Sequence, residues 1–143
     1  MRKYLTSVLL ALAVLPMSAR ERQLFDKGWL FNLVDSAGME MNAYSDMAWR
    51  KLNLPHDWAI EGDFSPSNPS GAGGGALPGG IGWYRKHFTV NPKEKYDRYT
   101  ITFDGVYMNS TVYINGHKLG TRPYGYSTFE YDLTPYINKK GDN

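Results

Sequence analysis

The chain has 143 residues, a formal charge of +2 and no cysteine. That length carries one domain, and the lack of thiols excludes a disulfide framework and any thiolate metal site. Aromatic content is high, with 11 Tyr, 6 Phe and 4 Trp, a composition that favours strands and half-buried sheet faces.

Residues 1–19 open with Arg2 and Lys3, run through an almost wholly apolar stretch from Tyr4 to Leu15, and end on Pro16-Met17-Ser18-Ala19. A charged start, an apolar middle and a small-residue end are the layout of a secretory signal peptide. The sequence therefore predicts an exported protein, periplasmic or secreted, whose mature domain is residues 20–143. The apolar stretch of about a dozen residues is short of the roughly 20 that cross a bilayer as a helix, so no membrane span is expected. Arg2 and Lys3 carry the whole formal excess of +2. The neutral remainder offers no electrostatic footprint for nucleic acid.

From Arg20 onward there is no long helical period. Short runs of aromatic and β-branched residues alternate with Gly, Pro, Asn and Asp, which predicts an all-β fold. Trp29 to Val34 is a first strand, closed by Asp35-Ser36-Ala37-Gly38. Trp49 to Leu54 is a second, stopped by Pro55. Gly82 to Val90 alternates Tyr84, Lys86, Phe88 and Val90 with Trp83, Arg85, His87 and Thr89, the period-two signature of a strand. Tyr99, Ile101 and Phe103 share one face of the next strand. Thr111 to Ile114 and His117 to Leu119 flank Asn115-Gly116, a strong signal for a type I′ hairpin. Ser127 to Leu133 is the last strand. Thr134-Pro135-Tyr136 is expected to begin a short helical turn capped by Thr134. Residues 62–82 read as one long loop, and loops of that length inside a domain are often functional.

Several chemistries find no support. The glycine cluster at 71–75 has no strand before it, no helix after it and no Gly-Lys-Ser/Thr end, so it does not read as a phosphate loop. His56, His87 and His117 lack metal-ligand spacing, and no Gly-x-Ser-x-Gly elbow is present. No cofactor or metal is expected. Asn109-Ser110-Thr111 matches a glycosylation sequon but reads as the lead into a strand.

A set of segments in fixed order carries the specific signal: Leu54-Pro55-His56-Asp57-Trp58; Leu77-Pro78-Gly79-Gly80-Ile81-Gly82-Trp83-Tyr84-Arg85-Lys86; Phe103-Asp104-Gly105-Val106-Tyr107-Met108-Asn109-Ser110 with Val112-Tyr113-Ile114-Asn115-Gly116; and Gly120-Thr121-Arg122-Pro123-Tyr124-Gly125-Tyr126 running on to Tyr136. In this order they resemble the N-terminal sugar-binding domain of glycoside hydrolase family two, with the nearest likeness to the β-galactosidases of Bacteroidetes. The resemblance covers roughly residues 22–143. It implies a jelly-roll (galactose-binding-like) antiparallel β-sandwich that packs beside a catalytic β/α barrel. In retaining enzymes that barrel holds an acid/base and a nucleophilic carboxylate about 5–5.5 Å apart. The family's acid/base usually follows an asparagine, and no Asn-Glu pair occurs here. The catalytic barrel is thus expected outside this chain, no catalytic residue is assigned within it, and the sandwich is expected to lack its closing strand. Residues 20–143 alone are expected to be marginally stable.

Four residues are candidates for sugar contact. His56 and Asp57 follow a strand ended by Pro55, and a carboxylate beside the Trp58 ring suits sugar hydroxyls. The competing role for Asp57 is to cap the next turn. Arg122 and Tyr124 lie in a segment that, by resemblance, reaches the active-site rim. Trp83, Tyr84 and Arg85 are assigned to structure. The implied partners are a carbohydrate substrate and the barrel domain of the same protein. The alternatives are a β-glucuronidase or β-mannosidase of the same family, a free carbohydrate-binding module, or a purely structural domain.

Overall fold

A computed structural model describes residues 20–94 and 96–143. The signal-peptide expectation for residues 1–19 lies outside the described residues. Seven strands follow in order: β1 (Trp29–Asn32), β2 (Arg50–Leu52), β3 (Trp83–Arg85), β4 (Thr100–Phe103), β5 (Ser110–Ile114), β6 (His117–Arg122) and β7 (Phe129–Asp132). All pairings are antiparallel. β1 lies between β2 and β3, β4 pairs with β7, and β5 pairs with β6. No α-helix occurs among the described residues; two 3-10 turns, Trp58–Glu61 and Ala72–Gly74, are the only helical segments there. This is the expected all-β antiparallel sandwich.

Packing between the strand groups is aromatic. Trp83 of β3 stacks on Tyr113 of β5 with ring centres 6.0 Å apart. Within the β4–β7 pair, Phe103 stacks on its cross-strand partner Phe129 at 5.1 Å. Phe31, Trp49, Ile114, Phe129 and Leu133 are buried with Met39. For Phe31, Ile114 and Phe129 this burial follows from the period-two alternation of their strands; Trp49 and Leu133 flank β2 and β7, and Met39 lies in the segment between β1 and β2. On β6, Gly120 permits a close approach: a Cβ there would sit 2.8 Å from the Tyr131 ring. The register also slips once in this hairpin, where Val112 faces Gly120 but Tyr113 faces Lys118. That leaves Leu119 as the extra residue of a β-bulge, which bends and twists the strand.

The Asn115-Gly116 turn forms as expected, with φ of 50° and 81°. Asn115 also accepts from Asn42 at 3.0 Å and donates to the Tyr136 carbonyl at 2.8 Å and to Asn143 Oδ1 at 2.9 Å. A local turn thereby ties down two distant segments.

Four sequence expectations change. The Gly82 to Val90 run pairs with β1 only over Trp83–Arg85. Beyond it, Phe88 and Asn143 exchange both backbone hydrogen bonds, at 3.2 and 2.9 Å, so the run leaves one partner and meets another. The strands begun at Trp29, Trp49, Tyr99 and Ser127 are also trimmed by one to three residues, whereas the two hairpin strands are longer than expected, starting at Ser110 and ending at Arg122. Thr134 does not cap a helix. Its hydroxyl instead accepts from the Tyr99 amide at 2.9 Å, while the Leu133 carbonyl closes a single turn with Tyr136 and Ile137. Finally, residues 62–82 are not structureless. The Asn68 amide donates to the carbonyls of Asp63 and Ala76 at 2.9 and 2.8 Å, and Ala76 N–H returns to the Gly71 carbonyl at 2.7 Å.

Arg85 organises the segment between β1 and β2. Its guanidinium donates to the carbonyls of Met39, Met41 and Tyr44 and to Asp46, and lies 4.8 Å from the Trp49 ring centre. Backbone carbonyls without a ladder partner need donors, and one planar fork supplies several.

Candidate functional site

Asp57 has an extended backbone, and its Oδ1 accepts from the Ala59 amide at 3.0 Å, capping the 3-10 turn Trp58–Glu61. The spacing of a carboxylate to the amide two residues on makes this local bond available. Turn formation then brings Glu61 back beside His56. The His56 ring is largely buried, with Nδ1 2.8 Å from the Tyr84 hydroxyl and Nε2 3.1 Å from Glu61 and 3.0 Å from Arg50. Arg50 in turn donates to Glu61 at 2.7 Å and lies 5.2 Å from the Phe31 ring centre. The hydrogen bond from Arg50, then that from His56, holds the Glu61 carboxyl below the usual range. Burial, followed by the charges of Asp57 and Glu61, pushes the Tyr84 hydroxyl up to about 12. Tyr84 therefore stays protonated at any physiological pH. Two proton arrangements satisfy the imidazole. Nδ1 accepts from Tyr84 while Nε2–H donates to Glu61, or Nδ1–H donates to Tyr84 while Nε2 accepts from Arg50. Both use the two ring nitrogens within the fold.

Arg122 ends β6 opposite Ser110. Its guanidinium lies over the rings of Phe129 and Tyr131, 5.4 and 5.8 Å from their centres, a cation–π arrangement that steers it along β7. Tyr124 is 63% exposed. Its ring meets Tyr126 edge-on at 5.7 Å, and Tyr126 meets Tyr107 edge-on at 6.1 Å. Tyr107 and Tyr126 are 67% and 74% exposed. Two loops must touch for this row to form. The Asn109 amide donates to the Pro123 carbonyl at 3.3 Å, and a Cβ on Gly125 would fall 2.9 Å from the Tyr107 Cα. Only glycine permits that approach of backbone to backbone.

The 62–82 loop joins these two regions. Pro78 packs on Gly62, and Trp58 packs on Gly80 and Gly82 at one end. At the other, Pro69, Ser70 and Gly79 face Tyr107 and Met108 across an open concavity of about 450 Å³. The four residues expected to touch sugar thus fall into two pairs. His56 and Asp57 sit within a hydrogen-bonded network, whereas Tyr124 belongs to the exposed aromatic row and Arg122 lies over Phe129 and Tyr131. Sequence reasoning missed Tyr107, Met108 and Tyr126 as candidates. The signal available was three tyrosines in two loop segments with Gly125 between them. Among the described residues no group of three His, Asp or Glu is arranged to hold a metal ion. What the arrangement can do is bind: rings for apolar sugar faces, with hydroxyls and backbone groups nearby for polar ones.

Residues 76–143 match the model of the glycosyl hydrolases family 2 sugar binding domain. The chain is 59% identical over 121 residues to a β-galactosidase of Bacteroides ovatus, BoGH2A, covering 85% of this chain and 14% of that protein. It is 46% identical to a putative β-glucuronidase of Formosa agariphila over 83% of its length and 11% of the relative's. A solved β-glycosidase of Bacteroides vulgatus superposes with a TM-score of 0.78 at 51% identity, covering 82% of this chain and 16% of that one. The chain therefore spans about a seventh or less of the curated relatives it matches.

Proposed function

Because the chain belongs to glycosyl hydrolase family 2, we propose that it is the N-terminal sugar-binding domain of an exported, retaining exo-β-galactosidase. The observation that carries the galactoside over the glucuronide is the higher identity to the Bacteroides ovatus β-galactosidase than to the Formosa β-glucuronidase. In this reading a barrel domain elsewhere in the protein supplies the acid/base and the nucleophile, set about 5–5.5 Å apart as retention requires. The sandwich contributes binding and the shape of the rim. Arg122 and Tyr124 face the sugar. Asp57 serves it through the oxygen not engaged at Ala59, and His56 serves it by holding the turn that presents Asp57. Export follows the signal-like residues 1–19.

The test is turnover by the full-length protein on the nitrophenyl β-galactoside, β-glucuronide and β-mannoside. Preference for the galactoside by at least about tenfold in kcat/KM, a difference of about 1.4 kcal/mol in transition-state binding, is the expected result. Preference for the glucuronide replaces the substrate but keeps the reaction. Binding of galactosides without any turnover would instead point to a free carbohydrate-binding module.

A further inference from the structure

We infer that the row Tyr107–Tyr126–Tyr124, together with the neighbouring glycine-rich loop, is a stacking platform for a neutral sugar on the leaving-group side of the scissile bond. This rests on the exo-glycosidase reading above and assigns a further subsite to it. Three observations converge. The rings are 63–74% exposed yet held in edge-to-face contact at 5.7 and 6.1 Å, so they are ordered without being buried. Fixed rings lose little freedom when a ligand stacks on them. The loops that carry them are locked by the Asn109–Pro123 hydrogen bond and the contact that only Gly125 allows. The adjoining concavity of about 450 Å³ is lined by Pro69, Ser70, Gly79 and further glycines with Tyr107 and Met108.

That lining decides the ligand class. It holds no charged side chain, so it offers nothing to a uronate or a sulfated sugar. Apolar ring faces answer the carbon face of a pyranose, and the glycine-rich backbone leaves amides and carbonyls open to hydroxyls. Openness decides the position. An exo-enzyme encloses the terminal sugar, while the rest of the glycan runs outward over the rim. A surface this exposed suits the outward part. Tyr126 and Tyr107 are therefore specificity-determining residues, not catalytic ones.

The full-length protein tests this through Tyr126→Ala and Tyr107→Ala, each compared on a β-linked neutral disaccharide and on the methyl β-glycoside of the same terminal sugar. The ratio of kcat/KM for disaccharide over methyl glycoside should fall roughly three- to tenfold, the size of one aromatic contact. Met47→Ala, at a residue 94% exposed and outside the platform, serves as the control and leaves that ratio as in wild type. An unchanged ratio in the tyrosine variants overturns the platform. So does an equal loss on both substrates with a lowered melting temperature, which would make the row a packing surface for another domain. Saturation-transfer NMR with the disaccharide gives a second reading independent of turnover. Saturation of the second sugar in wild type, lost in Tyr126→Ala, supports the platform even where no glycoside is hydrolysed and the exo-glycosidase reading has failed. Equal saturation in both proteins, or none in wild type, removes it.

Discussion

Tyr131 places its hydroxyl in a buried position where it meets no partner among the described residues, as does Ser110 Oγ. The ring itself is well used: Gly120 packs on it and Arg122 lies over it. An unsatisfied buried hydroxyl costs free energy that its ring does not recover. Tyr131→Phe should therefore be neutral or stabilising by up to about 1 kcal/mol, read as an unchanged or higher midpoint in urea unfolding. A loss above about 1 kcal/mol would reveal a partner for the hydroxyl. Residue roles were legible from sequence where the chemistry is local. Asp57 as a turn cap is a two-residue relation and could be read directly. His56 could not, because its partners Tyr84 and Glu61 reach it only through the pairing of β1 with β3 and the closing of the 3-10 turn. Tyr107 and Tyr126 look like core aromatics in the sequence. Only the loop contact at Gly125 turns them outward as a row.

The β5–β6 hairpin shows what an element carries beyond its own turn. Asn115 and Gly116 adopt positive φ, and Asn115 also bonds Asn42, Tyr136 and Asn143. Two substitutions separate these roles. Asn115→Gly keeps the turn but loses the side-chain bonds, with an expected cost of about 1–3 kcal/mol for the polar groups left unpaired. Asn115→Ala adds the strain of a Cβ at φ of 50°, roughly 1–2 kcal/mol more. Equal unfolding midpoints for the two variants would show that the turn conformation contributes nothing. Hairpin and turn type were legible because Asn-Gly encodes them in two residues. Strand lengths were not. The alternation from Gly82 to Val90 is regular, yet the ladder with β1 stops at Arg85 because Phe88 meets Asn143, a contact 55 residues away in the chain. Thr134 failed as a cap for the same reason: its hydroxyl is taken by Tyr99 across the sheet.

At the scale of the molecule, His87 joins three separate stretches of chain. Its Nε2 lies 2.7 Å from Asp46, in the segment before β2, and its Nδ1 lies 2.6 Å from Asp142. Arg85 also donates to Asp46, at 3.2 Å. The hydrogen bonds from Asp46 and then Asp142 raise the His87 imidazole above its ordinary 6.5. For Asp46, burial pushes the carboxyl up, but the bonds from His87 and Arg85 together outweigh it and hold the group below 3.8. A raised histidine stabilises the fold in full below its unfolded value and loses that contribution as pH rises through the folded one. A lowered carboxyl stabilises above its unfolded value and loses it as pH falls. The two overlap between pH 3.8 and 6.5, so the junction is strongest in mildly acidic solution. His87 and Asp142 are about half exposed, and solvent screening keeps the effect under about 1 kcal/mol. Melting temperatures measured from pH 4 to 9 should show His87→Gln trailing the wild type most near pH 5, with the gap closing above neutrality. A gap that stays constant across that range would mean the imidazole acts here as a neutral hydrogen-bonding ring, and that charge pairing adds nothing to the junction of the three stretches.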